Sequence, residues 1–443
     1  MADSVSEEDR LVEEIDRVLA KLFPINRSLT GEGNRKTFEI LREIIPLKMI
    51  EYPSGGKVYD WIIPDEWRIR DAYIKDKNGV KIVDFKLSNL HVSGYSIPVS
   101  TDITFAELAP HLHVLEDKSN AIPYRTHYYK RDWSFCVSKI QYDQLRQASG
   151  PLTVLIDSEF KPEGSMTVGE LRIPGQTDQE YLVSTYCCHP SMANDNLSGL
   201  LATTYLAREL LRGNTKHSWR FIFVPETIGA IAYLCNNEEA MKKIQGGLVV
   251  TTCGGPGALG YKETFLGHHL VDRAINLAFR DRKIEPIRYS FVPDGSDERQ
   301  YSSPGFRIPV ASITKDKYYE YPQYHTSLDN LEFVNGSQIM QSLELYRDVV
   351  RILDGNLVFK STEPYGEPQL SKRGLYPSTG GYINQPGTDR PEVVEADIDA
   401  VTWLLFLGDG QHDLVTVAER SGLAASRIYD CANQLSRVGL IEV

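Results

Sequence analysis

Between about residues 150 and 335 the chain alternates short apolar runs with amphipathic stretches of helical length, a rhythm few folds can accommodate. The apolar runs are "PLTVLIDS", "EYLVSTYCC", "WRFIFVP", "GLVVTTC" and "IPVASIT", and between them lie "NLSGLLATTYLARELLR", "AIAYLCNNEEAMKKI" and "LVDRAINLAFRDR". Strands that are apolar throughout are buried on both faces, so helices must cover both sides of a largely parallel sheet. Such sheets bind ligands at the carboxyl ends of their strands, which makes this region the catalytic candidate.

The flanking segments follow other patterns. Residues 7–22 alternate as an amphipathic helix, and "FPINRSLTGEGNRKT" breaks it before a second one, "FEILREII". From "KVYDW" to about Tyr124 short alternating runs rich in aromatic and β-branched residues read as a small all-β unit. The stretch "STEPYGEPQLSKRGLYPSTGGYINQPGTDRP" is dense in Gly, Pro, Ser and Tyr and reads as a linker. Beyond it, three helix-sized pieces with a tight "SGL" turn have the arrangement of a winged helix. From Pro391 onward three arginines face nine acidic residues, so the footprint that neutralises phosphates is missing and protein contact is favoured over DNA.

Several classes are excluded at this level. No apolar run is long enough to span a bilayer, and a net charge of -12 opposes nonspecific attraction to nucleic acid or anionic lipid. The acidic, helical start is the opposite of a signal peptide, which points to the cytoplasm. Six cysteines without a CxxC pair indicate reduced thiols rather than a disulfide framework or a zinc ribbon.

Four polar residues sit where strands end: His189 after "YLVSTYCC", Asp195 at the start of the next helix, Glu226 after "WRFIFVP", and His325 after "IPVASIT". Loops at one sheet edge converge, and two imidazoles with a carboxylate are a common zinc ligand set. Glu226 is then the natural base for a water acidified by the metal. Taken singly, each has a plain alternative: packing for the histidines, a helix cap for Asp195, a salt bridge for Glu226. Their combination favours the metal site. Tyr318, Tyr319, Tyr321 and Tyr324 crowd His325, where a phenol could stabilise an oxyanion, and Arg27 could bind a substrate carboxylate or form a surface ion pair.

The blocks "HPSMANDNLSGLLATTYLAREL", "FVPETIGAIAYL", "GSDERQYSSPGFRIP" and "YHTSLDNLE" resemble, in order, those of M28-type zinc aminopeptidases. With "FPINRSLTGEG", "WIIPDEWRIRDAYI" and "LSNLHVSGYS" the whole chain is similar to the DUF4910 aminopeptidase-like proteins. That resemblance implies an α/β aminopeptidase (phosphorylase/hydrolase-like) fold, a mixed sheet flanked by helices, over residues 1–56 and 125–360. It further implies an inserted DUF2172-like β-domain over 57–124, a linker over 361–390 and a winged helix over 391–443. Asp195 matches the Asp shared by two zinc ions, His189 and His325 match the histidines, and Glu226 matches the general base. Asp297 and Glu298 match a loop beside the metal, where they could orient a ligand or receive a substrate amine, a solvated loop being the alternative.

Two ligands of the M28 pattern are missing. The second Glu of its Glu-Glu pair is Thr227, and the segment expected to hold the remaining Asp offers only Thr251, Thr252 and Cys253. Two dications with two imidazoles and one carboxylate would carry about +3 in a confined site, so one zinc, at about +1, is expected. Cys253 is either an extra thiolate ligand or an inert buried thiol. The expectation is a cytoplasmic single-zinc hydrolase that cleaves an amide in a small peptide-like or aminoacyl substrate with a free amine. Alternatives are an aminoacyl transfer of the kind glutaminyl cyclases perform, or a scaffold that binds a metabolite or partner without turnover. Retention of Glu226 argues against the scaffold. The family resemblance implies a setting near surface-polysaccharide or natural-product biosynthesis, and the added domains could cover the cleft or build a homo-oligomer.

Overall fold

The structure, a computed structural model, describes residues 6–373, 375 and 397–442. It divides into two compact units, one of Met1–Gly267 with Pro286–Tyr346 and one of His268–Glu285 with Arg347–Val443.

The first unit is built on an eight-stranded mixed sheet. Its order is Lys48–Pro53, Ser165–Ile173, Ser218–Val224, Glu180–Tyr186, Ile244–Val249, Val310–Lys315, Leu259–Lys262 and Ile287–Tyr289. The four strands from Ser218–Val224 to Val310–Lys315 run parallel, and antiparallel pairs join them to the strands on either side. Every residue of Glu180–Tyr186, Ser218–Val224 and Val310–Lys315 is buried, as continuous apolar runs covered on both faces require. The helices Gly199–Leu210 and Ile228–Asn236 connect these strands. At the N-terminus Ser6 caps the helix Glu7–Leu22, and a turn leads to the helix Glu32–Arg42.

A four-stranded antiparallel sheet, ordered Lys81–Asp84, Glu66–Lys75, Leu152–Lys161 and Val99–Ile103, forms the small β-unit. Its strand Leu152–Lys161 takes in all of "PLTVLIDS" except Pro151, a run whose pattern was expected in the parallel sheet. The correction has a physical reason. Leu152, Val154 and Ile156 are buried while the residues between them are not, so the strand has one covered face and the period of two that goes with it.

In the second unit, helices Ile398–Leu407, Leu414–Ser421 and Ala425–Arg437 accompany a three-stranded sheet of Asp409–Asp413, Val358–Ser361 and Ile441–Glu442. Gly422, at φ 70°, ends the middle helix in the left-handed conformation that glycine tolerates best. The helix Leu270–Asp281, expected among the sheet's own helices, belongs to this unit, where Arg273 grips Glu419 and Arg280 donates to the Leu423 carbonyl. Most of the linker read over 361–390 lies outside the described residues. Among the described residues no helix is long and apolar enough to cross a membrane.

Candidate metal centre

Because the central strands are parallel, the loops that follow them open on one edge, and the predicted residues meet there. The His325 Nε2 lies 3.0 Å from Asp195 Oδ2, and the His189 Nε2 lies 3.8 Å from the same oxygen and 3.9 Å from Glu226 Oε2. Neither Asp195 Oδ2 nor His325 Nε2 has a hydrogen-bond partner among the described residues, although both are buried. Leaving such atoms unpaired is costly unless a ligand takes them. A tetrahedral zinc with bonds of about 2.0 to 2.1 Å separates its donors by about 3.3 Å, and the observed 3.0 and 3.8 Å bracket that value. The donor set therefore fits a zinc ion.

The electrostatics suit the same ion. Burial, reinforced by the neighbouring His325 and Arg27 and opposed by Asp195, pushes His189 down to about 4, so its ring is neutral and keeps a lone pair. Burial alone would raise Asp195, but His189, His325 and the Tyr186 phenol outweigh it and hold the carboxyl at about 2. Glu226 goes the other way. Burial, with the Asp297 and Asp195 carboxylates nearby, pushes it well above the usual carboxylate range.

Asp195 is held by a framework that the sequence reading missed. The Tyr186 hydroxyl donates to its Oδ1 at 2.5 Å and lies 2.7 Å from Thr251 Oγ1. Asp329 accepts the backbone N–H groups of Asn194 and Asp195 at 2.6 and 2.9 Å and the Tyr321 hydroxyl at 3.0 Å, which ties the Asp195 segment to the loop carrying His325. Tyr124 sets its ring 5.1 Å from each imidazole, and its backbone N–H donates to the His325 carbonyl. The only sequence hint of Asp329 was its place four residues after His325. Tyr186 looked like any strand residue.

Glu226 is presented by a tight turn. Thr227 sits at φ 65° and ψ -75°, and the Ile228 N–H donates to the Glu226 carbonyl at 2.8 Å, the γ-turn that is rare and strained for a β-branched residue. The Thr227 N–H donates to Asp297 Oδ1 at 2.7 Å. Asp297 and Glu298 are buried rather than solvated. Ser312 donates to Glu298 Oε1, whereas Asp297 Oδ2 and Glu298 Oε2 have no partner among the described residues. Tyr324 stacks on His325 with ring centres 3.9 Å apart, Tyr318 accepts from Lys262, and Tyr319 is exposed.

At Arg27 and at Cys253 one of the two alternatives falls away: the surface ion pair for the first and the extra thiolate ligand for the second. Arg27 is 2 % exposed, so it is not a surface residue, and one nitrogen of its guanidinium, Nη2, has no partner among the described residues. Its Nε and Nη1 donate to the carbonyls of His189 and Leu22, which steadies the loop that carries His189. Cys253 is not near the donors. Burial pushes its thiol up to about 12, its side-chain neighbour is Ser198, and it belongs to neither cluster able to hold a metal, whereas Cys188, with His189 and Glu226, does.

The Asp297 carboxyl yields a test of this geometry. Burial, with Glu298 beside it, lifts Asp297 from its ordinary 3.8 to about 7 against the opposing Thr227 N–H. A group whose folded pKa is raised contributes stability at low pH that is lost as pH rises through the folded value. Asp297→Asn keeps an oxygen for Thr227 and removes the ionisation. In zinc-free protein the variant's melting temperature relative to wild type should therefore climb between about pH 4 and 7, read by differential scanning fluorimetry. A difference independent of pH would contradict the burial of this carboxyl.

Comparison with known proteins identifies the family and the fold. Residues 16–356 match the family described as "Domain of unknown function (DUF4910)", and residues 357–443 match a winged helix-turn-helix family. A Clostridium acetobutylicum protein named for polysaccharide biosynthesis and an aminopeptidase-like domain is 42% identical over 430 residues, covering 97% of this chain and 96% of its own. The crystal structure of a peptidase-like protein from the same organism superposes with a TM-score of 0.90 at 39% identity, over 99% of this chain and 98% of that one. The zinc aminopeptidase BSAP of Bacillus subtilis shares the fold, with a TM-score of 0.57 at 15% identity over 79% of this chain and 95% of its own.

Proposed function

We propose that this chain, which belongs to the DUF4910 family, is a cytoplasmic zinc-dependent hydrolase that cleaves an amide bond in a small peptide-like or aminoacyl substrate. The observation that carries the reading is the convergence of His189, Asp195 and His325 on one point, with the orphaned Asp195 Oδ2 and His325 Nε2 facing it and Glu226 alongside. The names of its relatives, a zinc aminopeptidase and a protein with an aminopeptidase-like domain, accord with it.

His189, Asp195 and His325 hold the ion. Zinc, when bound, supplies a Lewis acid that polarises a carbonyl and acidifies water. Glu226, which is not needed as a ligand, takes the proton from the attacking water and returns it to the leaving amine. The raised proton affinity given to it by burial and by Asp297 and Asp195 suits a group that must both accept and release a proton near neutral pH. Tyr324, stacked on His325, is the phenol assigned here to the substrate carbonyl, and that stack supports the assignment.

One ion per chain is expected, and Tyr186 gives the reason. A carboxylate most often bridges two metals by giving one oxygen to each, and Oδ1 of Asp195 is engaged by the Tyr186 hydroxyl at 2.5 Å, which leaves Oδ2 as the open donor. Thr227 and Thr251 stand where further carboxylates would be required. Elemental analysis of protein purified without chelator tests the reading: about one zinc per chain supports it, and none would refute it.

The winged-helix unit is read as a protein-contact or covering element. Arg427, on its last helix, is paired with Asp397, and Arg273 with Glu419 and Asp413. With these cations neutralised, nonspecific duplex DNA should show no electrophoretic shift at physiological salt. A robust shift would overturn this assignment.

A further inference from the structure

We infer that Cys188 is a positioning residue that couples the metal ligand His189 to the base Glu226 through its sulfur. The inference rests on the hydrolase reading above and assigns a role to a residue which that reading leaves unused.

Cys188 is buried, and its Sγ accepts the Glu226 backbone N–H at 3.2 Å and lies 3.5 Å from the His189 Nδ1. The His189 Nε2 is the ring nitrogen on the side of Asp195 Oδ2 and Glu226 Oε2, so with zinc held there it carries the lone pair and Nδ1 the proton. The Nδ1–H then donates to the sulfur. A metal-bound histidine usually gives its second N–H to a carboxylate, a carbonyl or water, which fixes both the tautomer and the ring orientation. Here a thiol does so, and a thiol adds no charge.

Two consequences follow from that choice. A neutral acceptor orients the ring without adding negative charge to a centre whose only carboxylate ligand is Asp195, so the bound ion keeps its net positive field. The same sulfur also anchors the main chain of Glu226, at the start of the strained turn through Thr227. Ligand and base are thus fixed to one atom, and the 3.9 Å between His189 Nε2 and Glu226 Oε2 is held from behind.

Three variants test this. Cys188→Val keeps the bulk and removes the acceptor, Cys188→Ala removes the acceptor without adding bulk, and Cys188→Ser keeps an acceptor. Zinc affinity is read by competition with a chelator, and apoprotein stability by thermal melting. Cys188→Val and Cys188→Ala should weaken zinc about 10- to 100-fold, the loss typical of outer partners of metal ligands, with little change in apoprotein melting. Cys188→Ser should stay within a few-fold of wild type. If Cys188→Ser loses as much as Cys188→Val, or if zinc loss merely follows lost stability, the cysteine only packs and the inference fails. Equal affinity in Cys188→Val and wild type would overturn it alone, whereas a wild type that takes up no zinc would remove the hydrolase reading and this role together.

Discussion

Exchanging Glu226 for Gln is expected to leave zinc in place while lowering turnover about 10²- to 10⁴-fold, the usual contribution of a general base. Gln matches Glu in shape and keeps the backbone N–H that Cys188 receives, so the turn through Thr227 and the neighbouring ligands should not move. What it lacks is a site for the proton. Wild-type activity should fall as pH drops through the Glu226 pKa, and burial with the Asp297 and Asp195 carboxylates places that acidic limb well above the ordinary carboxylate range. The bound ion, being positive, pulls it partly back, so the limb measured on zinc-loaded enzyme lies below that of Glu226 in the zinc-free protein. A panel of aminoacyl amides with free amines, assayed with zinc content measured in parallel, is the check. Unchanged turnover would remove Glu226 from the mechanism, and loss of zinc in the variant would make it a ligand instead.

What the sequence disclosed and what it hid divide along physical lines. His189, Asp195, Glu226 and His325 were legible because each follows a buried strand or opens a helix at the one edge where a parallel sheet gathers its loops, and the structure brings them within 4 Å of a neighbour in the set. The strand Leu152–Lys161 was misplaced because a short apolar run does not by itself reveal whether one face or two will be covered. The burial of Arg27 was hidden because an isolated arginine is far more often at the surface, and only tertiary structure shows its guanidinium donating to backbone carbonyls. Tyr186, Cys188 and Asp329 act on the centre through hydrogen bonds to other residues or to backbone. Nothing in residue type or spacing distinguishes such supports from ordinary packing.

His325→Ala should bind zinc about 10²- to 10⁴-fold more weakly than wild type, taking about 10 to 16 kcal/mol of total binding energy as shared among three protein ligands. Elemental analysis of the purified variant, followed by chelator competition, reads that loss directly. The outcome is informative because two donor clusters overlap at His189: one with Asp195 and His325, the other with Cys188 and Glu226. They make opposite demands on the same side chains. In the first, Glu226 is free to act as a base and Cys188 serves as an acceptor behind the ring. In the second, both become ligands, no base remains, and His325 is dispensable. Zinc lost in His325→Ala but kept in Glu226→Gln fits only the first arrangement. Zinc kept in His325→Ala and lost in Glu226→Gln would move the ion to the second, and a site that has used Glu226 to hold the metal would have to draw its proton acceptor from elsewhere, with the unpaired Oδ2 atoms of Asp195 and Asp297 the candidates.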